Sequence, residues 1–287
     1  VLVGHGHFSR ALIARRLDLR NHRKIVTVDG QVAFMGSLNM IEPEYQRKKN
    51  HKIGRQWVDA MIEVSGEVAL HLDTVFAIDW TSEEFGPPEE QPVMERHPYS
   101  HSELGNSVQV LPSGPGYTTM PNLRVFNDMI YAATNRLIVV SPYFVPDESM
   151  LVAITSAAYA GVRVELYVNE ESDQFMVGHA QQSYYQELLD AGVIIYRYPA
   201  PKILHSKFMV VDDEIAVFGS SNMDMRSFVL NYEITLLATN GSIVPRLVDI
   251  ANEYRELSSE LTAEQWKQRP WGQRYLDSVF RLTSALV

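Results

Sequence analysis

Six residues occur twice along this chain at one fixed separation. His22, Lys24, Asp29, Gly36, Ser37 and Asn39 return 183 positions later as His205, Lys207, Asp212, Gly219, Ser220 and Asn222. A constant offset over six chemically distinct positions marks an internal repeat, so the fold is built from two similar units. The local pattern repeats as well. His22 to Asp29 reads as a strand, followed by a turn at Gly30 and a second strand at Val32 to Met35. Leu204 to Asp212 and Ile215 to Phe218 read the same way. Each copy is a hairpin that ends in Gly-Ser-x-Asn.

The stretch before the second copy alternates between strand and helix patterns. Leu137 to Ser141 predicts a strand. Glu148 to Ala160 predicts a helix capped by Asp147 and closed by Gly161. Val162 to Val168 predicts a strand, Gln174 to Ala191 a helix ending at Gly192, and Val193 to Tyr196 a strand. Asn231 to Ala238 adds a strand after the motif. The expected class is α/β, with duplicated α-β-α sandwich domains and mixed sheets. The expected division is residues 1–82 as the C-terminal part of a first domain, 83–105 as a linker rich in Pro, Gly and acidic residues, and 106–287 as the second domain. Only 21 residues precede the first motif, whereas about 100 precede the second within its own domain. The repeat therefore predicts that roughly 80 residues of domain one lie upstream of Val1.

The repeated residue types suit phosphodiester chemistry. Residues two apart on a strand share a face, so His22 and Lys24 are expected to project together, as are His205 and Lys207. Two ammonium groups supply positive charge to a phosphoryl group that gains charge in its transition state. Ser37, Asn39, Ser220 and Asn222 donate oriented hydrogen bonds to the phosphate. One imidazole can attack phosphorus and the other can move the proton. A neutral imidazole needs an acceptor on its second nitrogen. Glu233 is expected to orient His205, and Asp59 to orient His22 across an inserted loop at 42–55. Asp29 and Asp212 complete the motif and are expected to support the turns. This chemistry calls for no metal and no cofactor, and the sequence offers no clear carboxylate cluster for one.

The chain has no cysteine, which excludes disulfides and thiolate metal sites. It has no run of about 18 apolar residues and no recognisable signal peptide. Its net charge of −10 is uneven: residues 1–55 carry eleven basic and four acidic side chains, while the other 232 carry fourteen and thirty-one. An acidic body argues against nucleic acid as the partner. The basic end suits an anionic surface or a phosphate, or equally a solvated face. His5 and His7 are two residues short of a metal site and read as loop, and His97 and His101 read as surface. Arg47, Lys48, Lys49, Lys52 and Arg55 fall in the inserted loop. Tyr143 and Phe144 lie at a strand end, and Trp266 to Trp271 is either interfacial or packed.

The doubled His-x-Lys-x4-Asp with Gly-Ser-x-Asn resembles the phospholipase D superfamily, and within it the bacterial cardiolipin synthases. The residues that carry the closer resemblance are Asp18-Leu-Arg-Asn-His-Arg-Lys24, Gly36-Ser-Leu-Asn-Met40, Pro112-Ser-Gly-Pro115, Ser141-Pro-Tyr-Phe-Val-Pro146, Ser183-Tyr-Tyr-Gln-Glu-Leu-Leu189, Asn222-Met-Asp-Met-Arg-Ser-Phe228 and Leu230-Asn-Tyr-Glu233. The resemblance implies phospholipase D-type domains. It also implies a phosphatidyl transfer between two phosphatidylglycerol molecules, giving cardiolipin and glycerol through a phosphohistidine. It further implies His22 as nucleophile with His205 as acid and base, and a membrane surface as partner. It places the enzyme at the bacterial cytoplasmic membrane, anchored by helices that this chain does not contain. The oligomeric state stays open. A phospholipase D hydrolase, a metal-independent nuclease and a catalytically silent lipid- or partner-binding chain are the competing readings.

Overall fold

The protein is described here from a computed structural model, over residues 19–85, 105–117 and 119–282. The second half is organised around one mixed sheet. Its strands run in the order Ser107–Ser113, Asn231–Thr239, Ile215–Gly219, Phe208–Val211, Arg136–Val140, Arg163–Asn169, Ile194–Tyr198 and Ser259–Leu261. The three central strands from Arg136–Val140 through Ile194–Tyr198 are parallel, joined by helical crossovers, and the flanking strands are antiparallel. Both faces of this sheet are covered, so its strands are apolar on both sides. Leu137 and Val139 face a cluster that includes Phe126, Met150, Ile154 and Leu188 from helices on one side. Ile138 and Val140 face Val244, Leu247, Ala251 and Tyr254 of helix Ile243–Leu257 on the other. This is the expected α-β-α sandwich.

The first half contributes a smaller antiparallel sheet of Ile25–Val28, Val32–Gly36 and Met61–Ser65, backed by helix Glu67–Phe85. Ala33, Met35, Leu72 and Val75 from this unit pack with Ile234 and Leu236 of the large sheet in one shared cluster. The helix runs three residues past the expected boundary at 82. Residues 86–104 of the expected linker, with His97 and His101, lie outside the described residues, as do His5 and His7.

Most predicted elements appear within a residue or two. Asp147 caps helix Glu148–Tyr159 by accepting from the Met150 amide. The predicted helix 174–191 is instead two, Phe175–Gln182 and Tyr185–Ala191. The break combines a local turn with a long-range contact. The Ser183 hydroxyl donates to the Ala180 carbonyl, and Tyr184 closes a tighter turn onto Gln181. Gln181 is buried and committed elsewhere, accepting from the Phe144 amide and donating to the Tyr185 hydroxyl. The inserted loop also differs from expectation, because Lys48–Ile53 forms a short helix closed by Gly54 at φ 68°. Among the described residues, no helix is long and apolar enough to cross a membrane.

Candidate active site

The two hairpins are built alike. Val28 and Val32 flank a turn in which Asp29 and Gly30 both adopt positive φ, and Val211 and Ile215 flank a turn in which Asp212 and Asp213 do the same. Two successive left-handed residues give a type I′ turn, whose twist matches that of the paired strands. Asp212 does more than turn. Its carboxylate accepts from the amides of Thr134, Asn135 and Arg136 and from the Thr134 hydroxyl, which ties the hairpin to the start of strand Arg136–Val140. Both aspartates thus end their strands at the turn, as expected of scaffold residues.

His22 and Lys24 were expected on a strand, but the strand begins only at Ile25, and likewise at Phe208 in the second copy. Each His-x-Lys occupies an extended link between a two-residue strand and its hairpin. Within that link each lysine turns back on its own histidine: Lys24 Nζ donates to the His22 carbonyl at 2.6 Å, and Lys207 Nζ to the His205 carbonyl at 2.5 Å.

The two-residue strands settle which carboxylate meets which imidazole. Arg20–Asn21 pairs in parallel with Asn231–Tyr232, and the His22 amide continues the ladder onto the Tyr232 carbonyl. Ile203–Leu204 pairs in parallel with Trp57–Val58, and the His205 amide continues onto the Val58 carbonyl. Each histidine is therefore laid beside the other half's carboxylate. His22 Nδ1 lies 2.9 Å from both oxygens of Glu233, and His205 Nδ1 lies 2.6 Å from Asp59 Oδ1. The expected pairs, Asp59 with His22 and Glu233 with His205, are exchanged. The sequence could not decide this, because a duplicated chain offers each histidine two equivalent acceptors.

Each carboxylate is held by the serine of its own half. Ser37 Oγ donates to Asp59 at 2.6 Å and accepts from the Ala60 amide at 3.0 Å. Ser220 Oγ donates to Glu233 at 2.5 Å and accepts from the Ile234 amide at 3.0 Å. The serine hydroxyls, expected on the phosphate, thus brace the acids. The preceding glycines make the approach possible. A Cβ on Gly36 would lie 2.3 Å from the Ala60 carbonyl oxygen, and one on Gly219 would lie 2.1 Å from that of Ile234. The asparagines differ from each other. Asn39 donates to the Tyr45 hydroxyl at 2.7 Å, whereas Asn222 is buried and its carboxamide oxygen has no protein partner.

Burial depresses both imidazoles. The pKa of His22 falls below the usual range, chiefly through desolvation, against the pull of Glu233. That of His205 falls to about 3, through desolvation and the Lys207 charge. Lys24 is lowered to about 8 and Lys207 to about 7, again mainly by desolvation, and for Lys207 secondarily by Lys24. Burial would raise Glu233 and Asp59, but their histidine, lysine and serine neighbours outweigh it and hold both low. The electrostatics of either motif register the lysine of the other, as one shared site requires. At neutral pH the arrangement holds two neutral imidazoles fixed by carboxylates, beside two lysines whose proton is finely balanced.

Three contributors were not read from the sequence. Arg23 is buried and clamps the first motif, with its guanidinium on Asp79, the Glu233 carbonyl and the Ser113 carbonyl. Asn169 grips the backbone of Leu204 on both sides, 2.6 Å from its amide and 3.0 Å from its carbonyl, directly before His205. Asp224 caps helix Met225–Val229, and burial raises its carboxyl to about 6. Arg23 and Asp224 lay inside the motif strings, and for Asp224 a carboxyl between Met223 and Met225 was the available signal. Tyr143 and Phe144 are both buried, with the Tyr143 hydroxyl on Asp173 at 2.8 Å. Among the described residues, Glu42, Glu44 and His51 form a group that could hold a metal. Their atoms are engaged within the inserted loop, Glu42 with His51 and the Gln46 amide, and Glu44 with Gln56.

Residues 126–256 match the family described as cardiolipin synthase, PLD-like domain. Over 280 residues, 96% of this chain, the sequence is 38% identical to Cardiolipin synthase A of Yersinia pseudotuberculosis. Over 277 residues, 95% of the chain, it is 38% identical to Cardiolipin synthase A of Pectobacterium carotovorum. The chain spans 56% of the length of each. The crystal structure of phosphatidylserine synthase from Haemophilus influenzae superposes on 95% of this chain and 72% of its own, with a TM-score of 0.72 at 15% identity. That likeness shows a common fold.

Proposed function

We propose that this chain, whose residues 126–256 match the cardiolipin synthase, PLD-like domain, is a phospholipase D-superfamily enzyme whose two motifs form a single phosphatidyl-transfer site. The observation that carries this reading is the exchange of carboxylates between halves, which makes each motif incomplete without the other. His22 Nε2 attacks the phosphorus of phosphatidylglycerol, because Glu233 holds the Nδ1 proton and leaves the Nε2 lone pair free. A P–N bond forms and the P–O bond to glycerol breaks. Protonated His205 gives its proton to the departing alkoxide, the bound phosphodiester anion having raised its proton affinity. Neutral His205 then takes the proton from the glycerol hydroxyl of a second phosphatidylglycerol. That oxygen displaces His22 from phosphorus, giving cardiolipin and restoring both imidazoles. Lys24 and Lys207 neutralise the phosphoryl oxygens, with Asn39 and Asn222 as oriented amides. The substrates are anionic phospholipids, so the site works at a membrane surface, which we place at the bacterial cytoplasmic membrane.

The test supplies phosphatidylglycerol vesicles to the chain and to His22→Ala and His205→Ala variants, with lipid products identified by mass spectrometry. Cardiolipin and glycerol from the parent alone are expected. Phosphatidic acid as sole product would assign water as the acceptor. Turnover surviving either substitution would sink the two-histidine mechanism.

A further inference from the structure

The helix Trp271–Arg281 is amphipathic in the reverse sense to an ordinary surface helix, which turns apolar residues in and polar ones out. Here the inward side is anchored by a charge. Asp277 is buried, 2.7 Å from His179 Nδ1 and 2.5 Å from Arg269 Nη1, and is the helix's only acid. Phe280 completes the anchor, stacked on His179 and edge-on to Phe175. At 100° per residue, Trp271, Tyr275, Val279 and Leu282 fall on the opposite side, and all are exposed, Trp271 at 77% and Leu282 at 86%. Arg274 borders this apolar stripe, whereas Arg281 pairs with Glu187 and lies over the Tyr184 ring.

The apolar surface continues onto the neighbouring helix. Phe175 and Met176, at the start of the neighbouring helix, are exposed at 66% and 45%. Two residues before Phe175, Asp173 receives the Tyr143 hydroxyl. The strand leading into this loop ends at Asn169, which grips the residue before His205.

We infer that the Trp271–Leu282 face, with Phe175 and Met176, docks on an anionic bilayer and sets the site mouth against the lipid surface. The chemistry is that of a helix lying in the membrane interface. Trp and Tyr suit the headgroup level, Leu and Val the acyl boundary, and the flanking Arg274 the anionic phosphates, while the one acid is withdrawn into the protein. The assignment extends the phosphatidyl-transfer reading, but binding is measurable without turnover.

The chain carrying His22→Ala is sedimented with vesicles of phosphatidylcholine alone or mixed with phosphatidylglycerol. Binding to the mixed vesicles is expected. Trp271→Ser/Tyr275→Ser/Leu282→Ser should weaken it by about tenfold or more, with an unchanged thermal unfolding midpoint. Arg274→Gln should weaken it less and reduce the preference for phosphatidylglycerol. Parent-like binding by the triple variant, or a parent that ignores both vesicles, would overturn the proposal. So would a lipid-free dimer that the triple substitution dissociates, which would assign the face to a second copy. If binding depends on Trp271 but the chain with His22 intact forms no cardiolipin from the same vesicles, the docking surface stands and only the transfer reading falls.

Discussion

The two motif corners share one set of contacts but sit in different surroundings. Lysine onto histidine carbonyl, histidine onto the opposite carboxylate and serine onto its own carboxylate recur in both. Yet the His22 side chain is 27% exposed and that of His205 only 6%. Strand Ile25–Val28 alternates between exposed and half-buried, whereas Phe208–Val211 is buried throughout. The difference teaches that the chemistry of this site is two-fold symmetric while its dielectric is not. A symmetric pair of imidazoles can take unequal roles because one is partly exposed and the other is buried.

The sharpest way to break this comparison is to remove each imidazole. His22→Ala and His205→Ala should each lower cardiolipin formation by about 10³-fold or more. Their intermediates should differ: His205→Ala accumulates a phosphatidyl adduct on His22, detectable by intact-protein mass spectrometry. An adduct on His205 in the His22→Ala protein would reverse the assigned order.

Next in size are the carboxylates. Glu233→Gln and Asp59→Asn should each cost about 10²-fold in kcat, since each loses the acceptor that fixes an imidazole. Double-mutant cycles test the exchange itself. His22→Ala should be non-additive with Glu233→Gln and close to additive with Asp59→Asn. The opposite result would restore pairing within each half.

The hairpin turns give a stability contrast. Asp212→Ala, which strips four donors of their acceptor, should destabilise by about 2–4 kcal/mol in urea unfolding. Asp29→Ala, at an exposed turn, should fall well below that.

The lysines predict the pH profile. Lys207 near 7 and Lys24 near 8 lose their charge as pH rises, so kcat/KM should fall on the alkaline side from about pH 7. The nucleophile His22 is held below the usual histidine range, chiefly by burial, so it is already neutral there. No acid limb is therefore expected near pH 6.5. Lys24→Arg, at the more open corner, should leave the limb near 7, whereas a limb shifted well above 8 would assign it to Lys24. The smallest effect belongs to Tyr45→Phe, which frees the Asn39 amide and should change kcat only severalfold.

The duplication, the class of the fold and the twelve motif and partner residues were legible in the sequence because they depend on local chemistry. Period-two and period-3.6 patterns report burial, and the 183-residue offset reports a repeated unit. The helix break at Ser183 was not legible, since it depends in part on Gln181 being claimed by the Phe144 amide from another part of the fold. Nor was the position of His22 and Lys24 before their strand, because a link and a strand share the same extended residues.

What the sequence determined by itself is the inventory: two imidazoles, two ammonium groups, two carboxylates, and the serines and asparagines beside them. What only the tertiary structure decided is their wiring. The parallel pairing of Arg20–Asn21 with Asn231–Tyr232, and of Ile203–Leu204 with Trp57–Val58, gave each histidine the carboxylate of the other half. Local sequence cannot encode that choice, because both acceptors are chemically adequate and only long-range strand pairing selects between them.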